Sequence, residues 1–343
     1  SQIPQIVQHT RFGNFFPSVD ANAYALPFPF SALECKLERG FRNARNLRKR
    51  GHGIRDTLLL AVAYTALEQL GARFPVPFLL RCSGEDKGCR GRMEKVSGFY
   101  VRLPEGWEKV EVARGVQTKV ALSRYRRAAQ EQMLYRVVGI RPNHVFVGRI
   151  WVDDPQVKDL LVEAVQNIGV GALTTRGFGA ADLREVSPVL PSLRERLQAF
   201  NARLREIWLD LVDLARQVGY RGPYEPHGTY FSIDLLAPAI LRDQHGLPTL
   251  RLRLRLKETW LEPVWWAVQP VFTGGFSTAW GLPKPTALGA AMGSAYVFRT
   301  EAPAEQLLPE LESLEVQGIG ERTGEGFGEI LVCHPFHQEV VPV

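Results

Sequence analysis

The same glycine pattern occurs twice in this sequence. Gly169-Val170-Gly171-Ala172-Leu173-Thr174-Thr175-Arg176-Gly177-Phe178-Gly179 returns as Gly318-Ile319-Gly320-Glu321-Arg322-Thr323-Gly324-Glu325-Gly326-Phe327-Gly328. Both copies read G-h-G-x5-G-h-G, where h is apolar. Two copies at domain spacing, rather than many at a short period, point to two similar halves and exclude a solenoid. A chain of 343 residues also has room for about two domains.

With 45% hydrophobic and 23% charged residues the chain can build an ordinary packed core. Its net charge of +6 and its pI near 9.2 favour a polyanionic partner, although charge alone is equally served by a solvated basic surface. Four cysteines (Cys35, Cys82, Cys89 and Cys333) are too few for a disulfide scaffold at this size. No apolar run is long enough to span a bilayer and no secretory signal is visible, so the expectation is a cytoplasmic protein with no membrane partner. The sequence opens at Ser1 without a methionine, which leads us to expect a processed or shortened N-terminus.

Residues 2–30 are rich in proline and aromatics and read as extended or turning segments. Residues 39–55 carry Arg39, Arg42, Arg45, Arg48, Lys49, Arg50 and Arg55 with no acidic residue between them, which suits either a solvated loop or one that contacts phosphates. A helix is expected over 57–70, ended by Gly71. A basic hairpin follows over 74–101, with Cys82 and Cys89 at its tip. No cofactor is required by the sequence, but these two thiols are candidate zinc ligands. Cys333, His334 and His337 would supply the other half of such a site. Residues 118–133 read as a turn entering a helix whose early Arg124, Arg126 and Arg127 oppose the macrodipole and call for a neutralising partner such as an RNA backbone or nearby carboxylates.

Strands are expected over 134–138 and 144–152, a helix capped by Asp153 or Asp154 over 156–168, and a strand over 180–186 after the first glycine loop. Pro188 and Pro191 mark a boundary. The expected organisation is a first domain over 1–190, a connecting segment over 191–225 built on a long amphipathic helix at 192–218, and a second domain over 226–343. Within the second domain residues 250–257 alternate, with Leu250, Leu252, Leu254 and Leu256 on one side and Arg251, Arg253, Arg255 and Lys257 on the other. Like charges in such a row repel, so this strand is a strong local signal for a polyanion. Gly274, Gly275, Phe276, Trp280 and Lys284 form a flexible, aromatic and basic stretch. A strand at 293–299 and a helix at 303–316 then lead into the second glycine loop, and a strand at 330–333 closes the chain.

Dense glycines let a loop present backbone N–H groups at close range. A dinucleotide fingerprint places such glycines between a strand and a following helix, whereas here the helix comes first, and the Gly-Lys-Ser/Thr ending of a P-loop is missing. A loop running from helix to strand suits a single-stranded backbone better, with Phe178, Phe327 and Trp280 available for stacking. A tight helix-to-strand turn packed on a sheet remains the plain structural alternative.

Helix, then G-h-G-x5-G-h-G, then strand resembles the RAMP superfamily of CRISPR effector proteins. Arg11-Phe12-Gly13-Asn14, the proline-rich stretch at 26–31, the Cys82/Cys89 hairpin ending in Gly98-Phe99-Tyr100, the block at 118–135 and Gly274-Gly275-Phe276 leading to Gly293-Ser294 are similar to the double-domain, Cas-five-like subunit of type III-D complexes, the "Csx ten" type. The resemblance implies an α+β protein of two ferredoxin-like, RNA-recognition-motif-like domains. The first apparently lacks the family's opening strand and helix, for which residues 231–241 supply a counterpart in the second. Either those elements precede this sequence or another chain completes the first domain.

The resemblance also implies a non-catalytic subunit that caps the repeat-derived 5′ tag of the crRNA. Its partners would be the large signalling subunit and the adjacent backbone subunit, with target RNA met indirectly, in an antiviral ribonucleoprotein. The residues expected to grip RNA are Arg11, the cations of the 39–55 loop, the Arg124 cluster, the first glycine loop from Gly171 to Phe178, the 251–255 arginines, the 274–284 stretch and Arg322. The first loop, with Arg176, is expected to touch phosphate. The second, among Glu321, Glu325 and Glu329, is expected to touch RNA less or to face protein. The alternative is a metal-independent endoribonuclease, which would draw its acid or base from His52, His144, His227 or His245. A third reading has Asp20 bind a divalent metal for target-RNA cleavage.

Overall fold

In the computed structural model the described residues are 10–75, 81, 82, 88–122, 125, 129–152, 154–187, 190–277 and 280–339. The first half contains β1 (Thr10–Ser18), β2 (Ala25–Pro27), β3 (Ala32–Cys35), β4 (Ile54–Asp56), α1 (Leu58–Gln69), β5 (Met93–Lys95), β6 (Phe99–Leu103), β7 (Gly106–Val110), β8 (Arg114–Leu122), β9 (Ala129–Ile140), β10 (Val145–Val152) and α2 (Pro155–Ile168). β1 pairs antiparallel with β10, and two small three-stranded sheets, β4-β3-β5 and β2-β6-β7, lie beside them. β1 falls in the proline-rich segment that reads as extended or turning. It carries a bulge between Phe12 and Phe15 in its pairing with β10.

The long α3 (Leu193–Arg216) joins the halves. Ser192 caps it in a reciprocal capping box with Glu195, and its apolar stripe through Leu197, Phe200, Leu204, Trp208 and Leu211 is buried. The second half runs through β11 (Thr229–Leu235), the hairpin β12 (Leu241–Arg242) with β13 (Pro248–Thr249), the hairpin β14 (Leu254–Leu256) with β15 (Thr259–Leu261), and β16 (Trp265–Ala267). β17 (Pro270–Thr273) pairs with β20 (Ala287–Ala290) around the smaller hairpin of β18 (Phe276–Ser277) and β19 (Leu282–Pro283). β21 (Ala295–Thr300), α4 (Ala304–Gln317), β22 (Ile330–Val332) and α5 (Phe336–Glu339) complete the described chain.

The sheet order β16-β21-β11-β22 is ferredoxin-like: β21 and β22 run parallel with β11 between them, joined by α4 in a split βαβ unit. No helix follows β11, as the family counterpart at 231–241 would require; two hairpins stand there instead. α3, which precedes β11 in the chain, packs beside α4 on β11 and β22 and covers that face. The chain is therefore α+β with two ferredoxin-like domains. The core, however, does not divide at the Pro188/Pro191 boundary, because α1 packs on α3 and joins the same apolar cluster as the second-half sheet.

Two expected elements are corrected. Of the expected turn and helix over 118–133, the described residues 118–122 lie in β8 and 129–133 in β9, where cross-strand pairing from Arg114↔Ile140 onward outweighs the helix propensity of the Ala-Gln-Glu run. Arg124, Arg126 and Arg127, the expected cations of that helix, lie outside the described residues. Residues 180–187 form no strand. Ile330, Leu331 and Val332 earn their place in the sheet by being wholly buried, whereas Ala181-Asp182-Leu183-Arg184-Glu185-Val186 are mostly exposed and have no sheet edge to join. Among the described residues no helix is long and apolar enough to cross a membrane.

The halves are tied by a buried polar chain. His337 lies between Asp56, 2.8 Å from Nδ1, and Asp234, 2.8 Å from Nε2, with all three side chains almost fully enclosed. Ser31 Oγ donates to Asp56 and Ser232 Oγ to Asp234, each at 2.5 Å. Burial alone would push the His337 imidazole down, but the two carboxylates raise it to about 10, so it is held as a cation. Phe336, beside it, fills an aromatic cluster with Phe28, Phe41 and Tyr100 from the first half. Because the folded state keeps a proton that the unfolded imidazole loses near pH 6.5, this contribution is complete below about pH 6.5 and drains away as pH rises towards 10. His337→Gln should therefore lose about 3–5 kcal/mol at neutral pH. Its unfolding free energy, followed by urea denaturation, should fall less than the wild type's between pH 7 and 9.5; parallel pH profiles would contradict the assignment.

Candidate nucleic-acid interface

The two glycine loops share one backbone shape. Each begins where a helix ends, Gly169 donating to Val165 and Gly318 to Leu314. Each then closes on itself, Val170 N–H to Gly179 O at 2.8 Å and Ile319 N–H to Gly328 O at 2.9 Å. Leu173 and Arg322, at corresponding positions, are both left-handed with φ of 62° and 61°, and each starts a single 3-10 turn. At Gly179 and Gly328 the positive φ is compounded by crowding, since a Cβ would overlap the carbonyl oxygens of Val170 and Ile319.

Their surroundings differ. The second loop is docked inside the protein: Gly328 N–H donates to Pro238 O and Glu321 N–H to Ile240 O, both at 2.9 Å. The β1 bulge frees the Asn14 backbone N–H, which donates to Glu329 at 2.5 Å, while its side-chain amide donates to Gly326 O at 2.8 Å. Arg149 reaches the buried Glu329 at 3.1 Å. Arg11 donates to the Glu315 carbonyl in the last turn of α4 and stacks over Trp151. Arg11 is thereby engaged within the chain.

In the first loop, Ala172 and Gly179 correspond to Glu321 and Gly328, and their amides have no backbone partner among the described residues. Thr175, Arg176 and Gly177 are exposed, and nothing lies within 4 Å of a Cβ built at Gly171 or Gly177. Thr174 is half-buried. The loop rests on the β8–β9 hairpin, with Arg176 donating to Tyr135 Oη at 3.2 Å and Lys119 over the Phe178 ring at 4.7 Å. Phe178 thus already carries a cation, as Phe327 carries Arg322 at 4.6 Å. The hairpin itself exposes Val116, Leu122, Tyr125, Leu134, Val138 and Ile140.

The structure brings Gly275, Lys284 and Arg322 together: Gly275 lies against both cations, and Glu325 accepts from both. Donors from Arg322 and Lys284 hold the Glu325 carboxyl down to about 2. The aromatics beside this cluster, Phe276 and above all Trp280 at 82% exposure, are open for stacking, and Gly274 has nothing around it.

Elsewhere the expected cations fare unequally. In the 39–55 loop, Arg45 pairs with Glu105 at 3.0 Å and Lys49 with Glu108 at 3.4 Å, and Arg42 and Arg55 are also engaged. Arg48 and Arg50 are exposed with no ion pair among the described residues. The unneutralised row at 250–257 is corrected. Its leucines face inward as the alternation requires, but Glu262 takes Arg251 and Arg253 at 2.9 and 2.6 Å, Glu258 takes Arg255, and Glu310 takes Lys257. Carboxylates from neighbouring elements supply the mixed signs that the strand's own sequence lacks.

The zinc expectation is corrected in its second half. Cys333 is wholly buried, which pushes its thiol up; burial lowers His334 to about 3; and His337 is committed to its two aspartates. Cys82 and Cys89 lie instead beside Cys35 and His52. The remaining candidate acid–base groups are occupied separately. His144 accepts from Ala113 N–H, His227 pairs with Glu301, His245 contacts Gln244, and Asp20 accepts from Asn22 N–H in a tight turn. The contacts of Asn14 and Arg149 with Glu329, and the company that Cys35 and His52 keep with Cys82 and Cys89, escaped the sequence reading, because only folding brings partners so far apart in the chain together.

The family model described as CRISPR-associated protein (Cas_Cmr3) matches residues 101–335, about two thirds of the chain. The matched span holds both glycine loops and the β8–β9 hairpin. A search of the curated proteins finds no match.

The closed-ring geometry is testable apart from any ligand. Gly177→Ala should cost about 1–2 kcal/mol, since only the left-handed backbone opposes it. Gly179→Ala should cost more, because its Cβ also meets the Val170 carbonyl. Equal losses in urea denaturation would mean that the ring is not closed as described.

Proposed function

Because the chain belongs to the CRISPR-associated Cas_Cmr3 family, whose members are subunits of CRISPR effector complexes, we propose that it is the non-catalytic crRNA-binding subunit of a type III complex. In this reading it caps the repeat-derived 5′ tag and bridges the large signalling subunit to the backbone subunits in antiviral defence. Its two ferredoxin-like domains, each with a glycine loop, fit best the double-domain, Cas-five-like "Csx ten" type. The observation that carries the proposal is the difference between the two loops. Twin backbones place corresponding amides alike; in the second copy the carbonyls of Ile240 and Pro238 accept from the amides of Glu321 and Gly328, while in the first the corresponding amides of Ala172 and Gly179 are left without backbone partners among the described residues, beside the exposed Arg176. Backbone N–H groups seek an acceptor, and a phosphodiester oxygen supplies one with the charge that Arg176 favours.

Arg48 and Arg50 extend the basic surface, and Trp280 and Phe276 provide stacking faces beside Lys284 and Arg322. The arginines at 251, 253 and 255 are secondary contacts in this reading, since RNA would have to displace Glu262 and Glu258. Arg176→Gln should weaken binding of a repeat-derived single strand by roughly tenfold. It should also reduce the slope of log K against log salt by about 0.7, and the Arg48→Gln/Arg50→Gln pair should reduce it by about twice that. Arg251→Gln with Arg253→Gln should change it less. Filter binding across a salt series reads all three. An unchanged affinity and slope for Arg176→Gln would remove the first loop from the interface.

A further inference from the structure

The described residues of 36–53, 81–82 and 88–92 bury few side chains. Among the described residues in these spans the buried side chains are those of Phe41, Ala44 and Cys82, while Leu37 and Leu47 are both largely exposed. Such a region needs a staple other than an apolar core. At its centre Cys35, His52, Cys82 and Cys89 gather their ligand atoms within 4.8 Å of one another. They come from three places in the chain: the end of β3, the basic loop, and the two sides of the hairpin that returns through β5.

The distances fit a tetrahedral metal and not a disulfide. Zn–S bonds of about 2.3 Å and Zn–N bonds of about 2.0–2.1 Å give tetrahedral edges of about 3.8 Å between sulfurs and about 3.6 Å from sulfur to nitrogen. Cys35 Sγ lies 3.9 Å from Cys89 Sγ, and Cys82 Sγ lies 3.5 Å from His52 Nδ1. A disulfide would need about 2.05 Å. Backbone N–H groups face two of the sulfurs. Gly91 N–H donates to Cys89 Sγ at 3.4 Å, and the N–H groups of Leu37 and Glu38 point at Cys35. A Cβ at Gly91 would sit 3.0 Å from Cys35 Sγ and 3.2 Å from Cys89 Sγ, so only glycine lets the backbone approach both.

We propose that Cys35, His52, Cys82 and Cys89 bind one structural Zn²⁺ that pins the basic loop carrying Arg42, Arg45, Arg48 and Arg50 to the neighbouring hairpin. Three soft thiolates and an imidazole select zinc over magnesium or calcium, and four protein ligands close the site to substrate, which makes it structural rather than catalytic. The four ligands precede the span matched by the family model, residues 101–335.

The test is metal analysis of the full chain purified without chelator. About one zinc per chain is expected for the wild type and for Cys333→Ala, and less than about a tenth of that for Cys35→Ser, His52→Ala and Cys89→Ser. Should the ligand variants fail to fold, X-ray absorption of the zinc-loaded wild type must show three sulfurs and one nitrogen around the metal. Chelation must also expose three thiols to a disulfide reagent while the buried Cys333 stays protected. A wild type without stoichiometric zinc after refolding in its presence, zinc retained in His52→Ala and Cys89→Ser, or a metal shell without sulfur would each overturn the proposal.

Discussion

The fold turns on one imidazole. His337, near the end of the described chain, is enclosed between Asp56, which precedes the first helix, and Asp234, on the central strand of the second domain. Two buried carboxylates facing one site repel, and the cation between them offsets that repulsion. The Asp234 carboxyl, which burial would push up, is accordingly held below its ordinary value by His337. Around this point the aromatic cluster of Phe28, Phe41, Tyr100 and Phe336 closes, and the bidentate Arg196–Glu315 pair fastens α3 to α4. The two halves therefore share a polar lock as well as an apolar core.

Within that frame the repeated loop serves two purposes. Its glycines are first of all a way to end a helix and turn back within a few residues, and both copies do this alike. In the second copy, Asn14 and Arg149 of the first domain meet Glu329, while residues 238–240 accept from the loop amides. The first copy has the β8–β9 hairpin beside it and its amides without backbone partners. The repeated motif thus gives one loop to internal packing and leaves its twin with amides that have no backbone partner among the described residues, and the two are distinguished by what lies opposite rather than by their own residues.

Much of the architecture was legible from periodicity and punctuation. Gly71, Asp154, Ser192 and the two Gly-h-Gly pairs each mark a boundary that the structure keeps within a residue or two, because caps and left-handed glycines act locally. What failed was non-local. The Ala-Gln-Glu run before Met133 has good helix propensity yet lies within β9, the partner of β8, and residues 180–186 have the length of a strand but no edge to join. The charge argument at 250–257 failed for the same reason, since Glu262, Glu258 and Glu310 lie outside the alternating segment that suggested an uncompensated row.

The sequence alone determined that the chain has two related halves, where most helices begin and end, and which family it resembles, because these depend on residues a few positions apart. Only the tertiary structure decided which glycine loop is open, which arginines are already paired, and that Cys82 and Cys89 stand with Cys35 and His52 rather than with Cys333. The physical reason is one of range: caps and periodic faces are set by neighbours in sequence, whereas charge neutralisation and ligand geometry are set by groups that only folding makes neighbours.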